Sequence, residues 1–390
     1  YRRRLINELY TIACQGTPVL TTPVLLGIGE EIDLMGDWTQ EFQTESFAIK
    51  HFEATSAQAI EQMRLGDTDY AVSYTWSPAA VDATATSKRA VADSDILGIP
   101  AVAYALVPAY FVSTLSSQPS LIVTLDVLAS ILAGQVTRWN DTAIAATNPS
   151  SVAVLLPNRA IHLVVGCDET LAIESMLTQA FAGLANGAAA IAGYQAVACT
   201  SDPVGGISAV DYSLGVWFST QVITQVRNVK AASLVNTANS VVSANQTCIL
   251  AAVLDFAANT TTLHLVNGPG LLSWPLVGYA VLTIYAQAPG DYSTAQGLLD
   301  WVYWTQTSTQ ASTVANNYNL AVPGQVPEVR RRTVAMLALV QSTSTGAFVF
   351  SLQACVINGT ICSDRGSCVS GQCSCSAGWT GDHCEFAQSA

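Results

Sequence analysis

Six of the ten cysteines fall in the last 36 residues: Cys355, Cys362, Cys368, Cys373, Cys375 and Cys384, in the order C-x6-C-x5-C-x4-C-x-C-x8-C. About 35 residues cannot bury enough apolar surface to fold alone, so covalent loop closure has to take the place of a core. Such bridges require an oxidising compartment. Zinc is the competing use of a C-x4-C-x-C stretch, but His383 is the only imidazole nearby and the spacing does not suit a tetrahedral knuckle. Neither a metal nor any other cofactor is expected. The other four cysteines form an even set with three possible pairings. Proximity in the chain favours Cys167 with Cys199, and with it Cys14 with Cys248.

With Gly378, Trp379 and Gly381 in its last loop, this tail resembles an EGF-like module over residues 353–390. The resemblance implies the bridges Cys355–Cys368, Cys362–Cys373 and Cys375–Cys384. Calcium-binding modules of this type carry acidic residues before the first cysteine, and Ser351-Leu352-Gln353-Ala354 has none. A spacer or an adhesive contact is therefore the expected role.

The rest of the chain is built on different terms. Half of the 390 residues are hydrophobic and 11% are charged, against roughly 25% in an ordinary soluble domain. The length predicts two lobes plus the small appendage. Ser, Thr, Asn and Gln keep the surface wet, and N-x-[ST] sequons begin at Asn140, Asn245, Asn259 and Asn358, while Pro149 spoils the one at Asn148. In a disulfide-bearing chain these predict N-linked glycans on a secreted or cell-surface protein.

A net charge of -13 with three lysines excludes nucleic acid as a partner and disfavours anionic membranes. The clusters Arg2 to Arg4 and Arg330 to Arg332 are too short to reverse this and read as solvated. No apolar run of 18 residues occurs, so no transmembrane segment is predicted. A chain starting at Tyr1 with no visible signal peptide is expected to be a processed or trimmed product.

Periodicity predicts alternating strands and helices. The stretch 47–54 alternates as a strand, 56–66 is a helix with Ser56 as its cap and Gly66 as its stop, and "DYAVSYT" is the next strand. Helices are predicted at 125–134, from Asp168 onward, in "STAQGLLDWVYWTQT" and in "VPEVRRRTVAMLALVQ", and a buried strand at 161–166. This β/α order predicts mostly parallel sheets covered by helices.

Several pieces together resemble the phosphate-binding proteins of ABC uptake systems: "ILAGQVTRWNDTAIAATNPS" (131–150), "FEATSAQAIEQMRLGDTDYAVSYTWSP", "SWPLVGYAVLTIYA" and "GLLDWVYW". The resemblance covers residues 12–342 and implies an α/β, two-lobed type II periplasmic-binding-protein-like body. Lobe I would combine residues 1–106 with 273–350, lobe II would be 107–272, and an anion site would lie in the cleft.

A buried phosphate needs many donors and usually an arginine to offset its lost hydration. In the family these are a Thr of the first loop, Ser of a glycine-serine loop, an Asp of an A-S-D stretch and an R-x-D-G-S-G-T loop. Carried across by position, they become Thr21 and Thr22, then Thr55 and Ser56, then Ser73 followed by Tyr74 instead of Asp, and finally Asp168 and Thr170 within Cys167-Asp168-Glu169-Thr170-Leu171-Ala172. The arginine is gone and Glu169 is added. One carboxylate about 5 Å from the anion opposes binding by about 3 kcal/mol, and the lost arginine removes about 1.5–3 more. Together that is roughly three powers of ten in affinity, so orthophosphate is not expected to bind.

His51, His162, His264 and His383 lie far apart, and neither a nucleophile elbow nor a Walker loop occurs. No enzyme activity is expected. The expected function is extracellular assembly, as a filament or matrix, or adhesion, through self-association or contact with other extracellular proteins. The alternative is a secreted solute-binding protein for phosphate or another small oxyanion.

Overall fold

The computed structural model describes residues 24–42, 48–76, 95–167, 170–225, 228–258 and 262–388. Along the chain run β1 (Val24–Gly29), α1 (Ile32–Phe42), β2 (Ala48–Glu53), α2 (Ser56–Leu65), β3 (Tyr70–Ser73), β4 (Ile96–Phe111), β5 (Ile122–Thr124) and α3 (Leu125–Leu132). Next come β6 (His162–Leu163), β7 (Val165–Gly166), α4 (Thr170–Ala180), α5 (Gly187–Ala196), β8 (Cys199–Thr200), β9 (Ser213–Phe218), β10 (Ser233–Val235), α6 (Gln246–Asp255), β11 (His264–Val266) and β12 (Leu276–Tyr285). The series ends with α7 (Tyr292–Thr307), α8 (Thr309–Asn317), α9 (Pro327–Leu337), β13 (Gly366–Val369) and β14 (Gln372–Cys375).

Contacts divide the described residues into two compact units, one of those within 1–101, 281–314 and 327–390 and the other of those within 102–280 and 315–326. The chain changes unit at 101 and 280, within the long strands β4 and β12, where the sequence placed the junctions at 106 and 273. The segment 315–326 counts with the second unit, and the disulfide-rich tail with the first.

In the first unit β1 lies between β2 and β3, parallel to both. Val281–Thr283 of β12 pair antiparallel with β3, while the start of the same strand, in the second unit, pairs antiparallel with β11 as a hairpin. In the second unit β4 and β9 are antiparallel, β6 is parallel to β9, and β5 is parallel to β10. The architecture is thus α/β with mixed sheets, a correction to the mostly parallel arrangement expected. The core of each unit is anchored by tryptophans whose indole N–H finds a carbonyl. Trp38 donates to Ala311 in the first unit, and Trp274 donates to Leu106 and Trp139 to Tyr212 in the second.

Local signals explain the elements. Thr124 caps α3 by accepting from Val127 N–H, and Asp291 caps α7 by accepting from Thr294 N–H. Gly66 closes α2 in the left-handed conformation, φ 71°. The stretch 161–166 is two short strands instead of one buried strand, and His162 is exposed. The chain changes partner there: β6 follows β9, whereas β7 pairs with β8, beside the Cys167–Cys199 disulfide.

The tail is held by Cys355–Cys368, Cys362–Cys373 and Cys375–Cys384. Its centre is sulfur: Cys355, Cys362 and Cys384 are buried, with Ile361 and Trp379 packed around them. β13 and β14 pair antiparallel across Ser370-Gly371, both at positive φ, the two-residue turn whose twist suits a hairpin. Arg365 stacks its guanidinium 3.6 Å over the Trp379 ring.

This module is docked on helices of the first unit. Phe350 meets Tyr303 of α7 edge-on, ring centroids 5.6 Å apart, Ser351 donates to Asp300, and Tyr292 donates to the Phe348 carbonyl at 3.0 Å. Gly359 approaches α9 so closely that a Cβ there would lie 2.3 Å from the Arg331 carbonyl oxygen. Among the described residues no helix is long and apolar enough to cross a membrane.

Candidate functional site

Because β1, β2 and β3 run parallel, their carboxyl ends share one edge, where open α/β sheets place ligands. Three loops meet there. β1 ends in Gly29 and is followed by Glu30 and Glu31; after β2 come Ala54, Thr55 and Ser56; after β3 come Tyr74 and Thr75. Backbone bonds tie the loops together: Glu30 N–H donates to Val72 O at 3.2 Å and Ala54 N–H to Gly29 O at 3.2 Å. Gly29, at φ 135°, is required, since a Cβ would lie 2.0 Å from Val72 O.

Side chains complete the edge. Ser56 is buried; its Oγ accepts from Tyr74 N–H at 3.0 Å and donates to Glu30 Oε1 at 3.3 Å. Ser73 Oγ accepts from Thr75 N–H at 3.0 Å. The Tyr74 hydroxyl donates to Glu31 Oε1 at 2.7 Å. Glu31 itself holds φ 59°, a costly conformation for a side chain of this kind, and its carbonyl accepts the first α1 bond, from Met35 N–H.

The α2 cap is Thr55, not Ser56 as the sequence suggested. Thr55 forms a capping box with Gln58, each side chain bonding the other's backbone N–H. Ser56 is thereby freed to bind Tyr74 and Glu30.

The electrostatics are acidic. Desolvation lifts the Glu31 carboxyl to about 7, with Asp33 adding to the rise and the Tyr74 hydroxyl opposing it. His51 of β2 offers no compensating cation, since burial lowers it to about 4. Its Nε2 donates to the Glu30 carbonyl at 3.0 Å, so neutral Nδ1 accepts from the Tyr70 hydroxyl at 3.3 Å. The described residues of the three loops include no Arg or Lys. An anion placed here meets hydroxyls and amides but also two carboxyl groups.

Among the residues carried across by position, Thr55, Ser56 and Ser73 come together in the first unit. Thr21 and Thr22 lie outside the described residues, and the loop at the carboxyl end of β1 is Glu30-Glu31. Thr170 opens α4 in the second unit, and Asp168 lies outside the described residues. The stretch that aligns with the family's arginine loop is stapled by Cys167–Cys199, Cα atoms 4.9 Å apart. Cys14 lies outside the described residues; Cys248 is buried and forms no disulfide among them. The sulfurs of Cys355, Cys362 and Cys373 converge as metal ligands would, but each is already bridged. The Glu30-Glu31 pair went unnoticed in the sequence, although the unbroken apolar run "VLLGIG" just before it is the signature of a buried strand.

The fold is similar to that of phosphate-binding proteins. One is PfluDING, described as a high affinity periplasmic phosphate-binding protein bound with phosphate: TM-score 0.54, 12% identity, 80% of this chain and 94% of that one. Another is a human phosphate binding apolipoprotein: TM-score 0.54, 13% identity, 84% of this chain and 99% of that one. Residues 360–387 match the family described as Teneurin-like EGF domain. Two proteins of Acanthamoeba polyphaga mimivirus, named "Putative serine/threonine-protein kinase/receptor" R818 and R826, are 25% and 23% identical over 97% and 98% of this chain. The chain spans about a quarter of the length of these curated relatives.

The body therefore has a fold resembling that of phosphate-binding proteins, followed by an EGF-like region with three disulfides. The disulfides fit an extracellular setting.

Proposed function

We propose that this chain is an extracellular module that works through protein contact, in assembly or adhesion, and that its binding-protein-like body does not carry phosphate. The observation that carries this reading is the pair Glu30 and Glu31 at the carboxyl edge of the first unit, where a dianion would need cationic partners. A carboxylate within about 5 Å opposes a unit negative charge by about 3 kcal/mol at an effective dielectric of 20, and the Glu31 share is partial near neutral pH because desolvation lifts its carboxyl to about 7. In this reading the chain has no catalytic activity, and N-linked glycans at Asn140, Asn245, Asn259 and Asn358 keep its charge-poor surface soluble. The names of the longer relatives support a place in the outer part of a receptor-type protein.

Isothermal titration calorimetry with phosphate, sulfate and arsenate tests the reading. No heat of binding at millimolar anion is expected. Binding at micromolar concentration or tighter would replace it with the second reading, a secreted binder of a small oxyanion. That alternative is favoured by one arrangement, the buried Ser56 hydroxyl at the start of α2.

A further inference from the structure

The hairpin between β11 and β12 turns through Asn267 to Pro275, closed by Asn267 N–H donating to the Pro275 carbonyl at 3.0 Å. At its tip Leu271 and Leu272 are 68% and 54% exposed. Isolated exposed leucines are ordinary, but this tip is held unusually firmly. The Asp255 carboxylate accepts from Gly270 N–H at 2.8 Å and from the Ser273 hydroxyl. Buried Asn236 donates its amide to the carbonyls of Gly270, Leu271 and Ser273 at 3.0–3.2 Å. Thr237 donates to the Gly268 carbonyl at 2.7 Å.

Polar side chains thus fix a loop whose outward product is apolar, which lowers the ordering cost of any contact it makes. The elements that hold it add two more exposed apolar residues, Val241 at 56% and Leu254 at 59%. Charge decides the occupant. In a chain of net charge -13, the stretch from Ala231 to Ala280 contains a single formally charged residue, Asp255, and its carboxylate is engaged by the loop. Two copies of a chain of that net charge repel on average, whereas two copies of this stretch bring together leucines with Asp255 as its one formally charged residue.

We propose that the Leu271–Leu272 loop, with Val241 and Leu254, is a homotypic contact by which two copies of this chain form a dimer. Because the same face is used by both partners, the contact is two-fold and closes at two subunits without propagating into a filament. The inference deepens the contact reading, and its test is independent of anion binding.

The test is sedimentation velocity of the secreted, glycosylated chain from about 1 to 200 µM. A monomer–dimer equilibrium is expected, with the dissociation constant raised at least tenfold in L271D/L272D and in the milder L271S/L272S. Near-ultraviolet circular dichroism of both variants should match that of the parent. Three outcomes overturn the proposal: a parent chain that stays monomeric throughout, a dimer unaffected by either pair, or a ladder of larger species. A monomer that instead co-sediments with phosphatidylcholine vesicles would overturn it too and assign the loop to lipid. A monomer lacking phosphate affinity sinks the homotypic contact alone; phosphate affinity in a dimer sinks the no-cargo reading alone.

Discussion

The Tyr74 hydroxyl donates to Glu31 Oε1 at 2.7 Å, joining the end of β3 to the first turn of α1 through a carboxyl that desolvation has lifted to about 7. Near neutral pH this carboxyl is about half protonated. The same edge therefore changes charge where extracellular pH varies, and the chain's stability should report it.

A carboxyl whose folded pKa lies above its unfolded value of 4.5 binds more protons in the native state between those two values. Its stabilising contribution is present below pH 4.5 and is lost as pH rises through about 7. Glu31→Gln keeps an acceptor for Tyr74 and removes the titration. Relative to the parent, the variant should gain stability from pH 4.5 to 7.5, by at most ~3 kcal/mol before solvent screening. His51 and His264, both lowered to about 4, work in the opposite sense. Their stabilising contribution is present above about 6.5 and is lost as pH falls through about 4. Urea unfolding at several pH values checks this, and parallel parent and variant curves would remove Glu31 from the account.

Gly359 holds the EGF-like module against α9. A methyl group there would meet the Arg331 carbonyl at 2.3 Å, at a φ of 74° that favours glycine. Gly359→Ala should cost about 1–3 kcal/mol and raise amide exchange across α9. An unchanged melting temperature and unchanged exchange would mean the module is not docked there.

The Cys167–Cys199 bridge closes a loop of sequence separation 32. Its removal in Cys167→Ala/Cys199→Ala should cost about 3–4 kcal/mol by loop entropy, read as a lower urea midpoint. No change in midpoint would show that the bridge contributes nothing.

Asn245 has two uses: its sequon, and its Oδ1 accepting from Cys248 N–H at 3.0 Å as the α6 cap. Asn245→Ala should lose the glycan and about 1 kcal/mol of capping, whereas Thr247→Ala should lose the glycan alone. Glycosidase gel shifts paired with melting curves separate the two. Equal destabilisation of both variants would deny Asn245 its capping role.

Much of the fold was legible because its signals are local. Cysteine spacing and the G-W-x-G stretch point to the tail, Gly66 ends α2, and short apolar runs alternate with helical periodicity. What failed depended on partners distant in sequence. Thr55 takes the cap because Ser56 is drawn to Tyr74 and Glu30, 18 and 26 residues away. The segment 161–166 breaks in two because β9 and β8 compete for it. The acidic edge carries no local signal of its own, since Glu30 and Glu31 belong to no motif and acquire their setting only from Ser56 and Tyr74, distant in sequence.

The most direct measurement is equilibrium dialysis of the full chain against radiolabelled inorganic phosphate at pH 7.5, with equimolar Glu30→Gln/Glu31→Gln protein in parallel. With Glu30 and Glu31 in place, phosphate is predicted to distribute equally across the membrane up to about 1 mM. Retention of one phosphate per chain at micromolar concentration, in the parent as well as in the double variant, would contradict the claim that this edge repels phosphate.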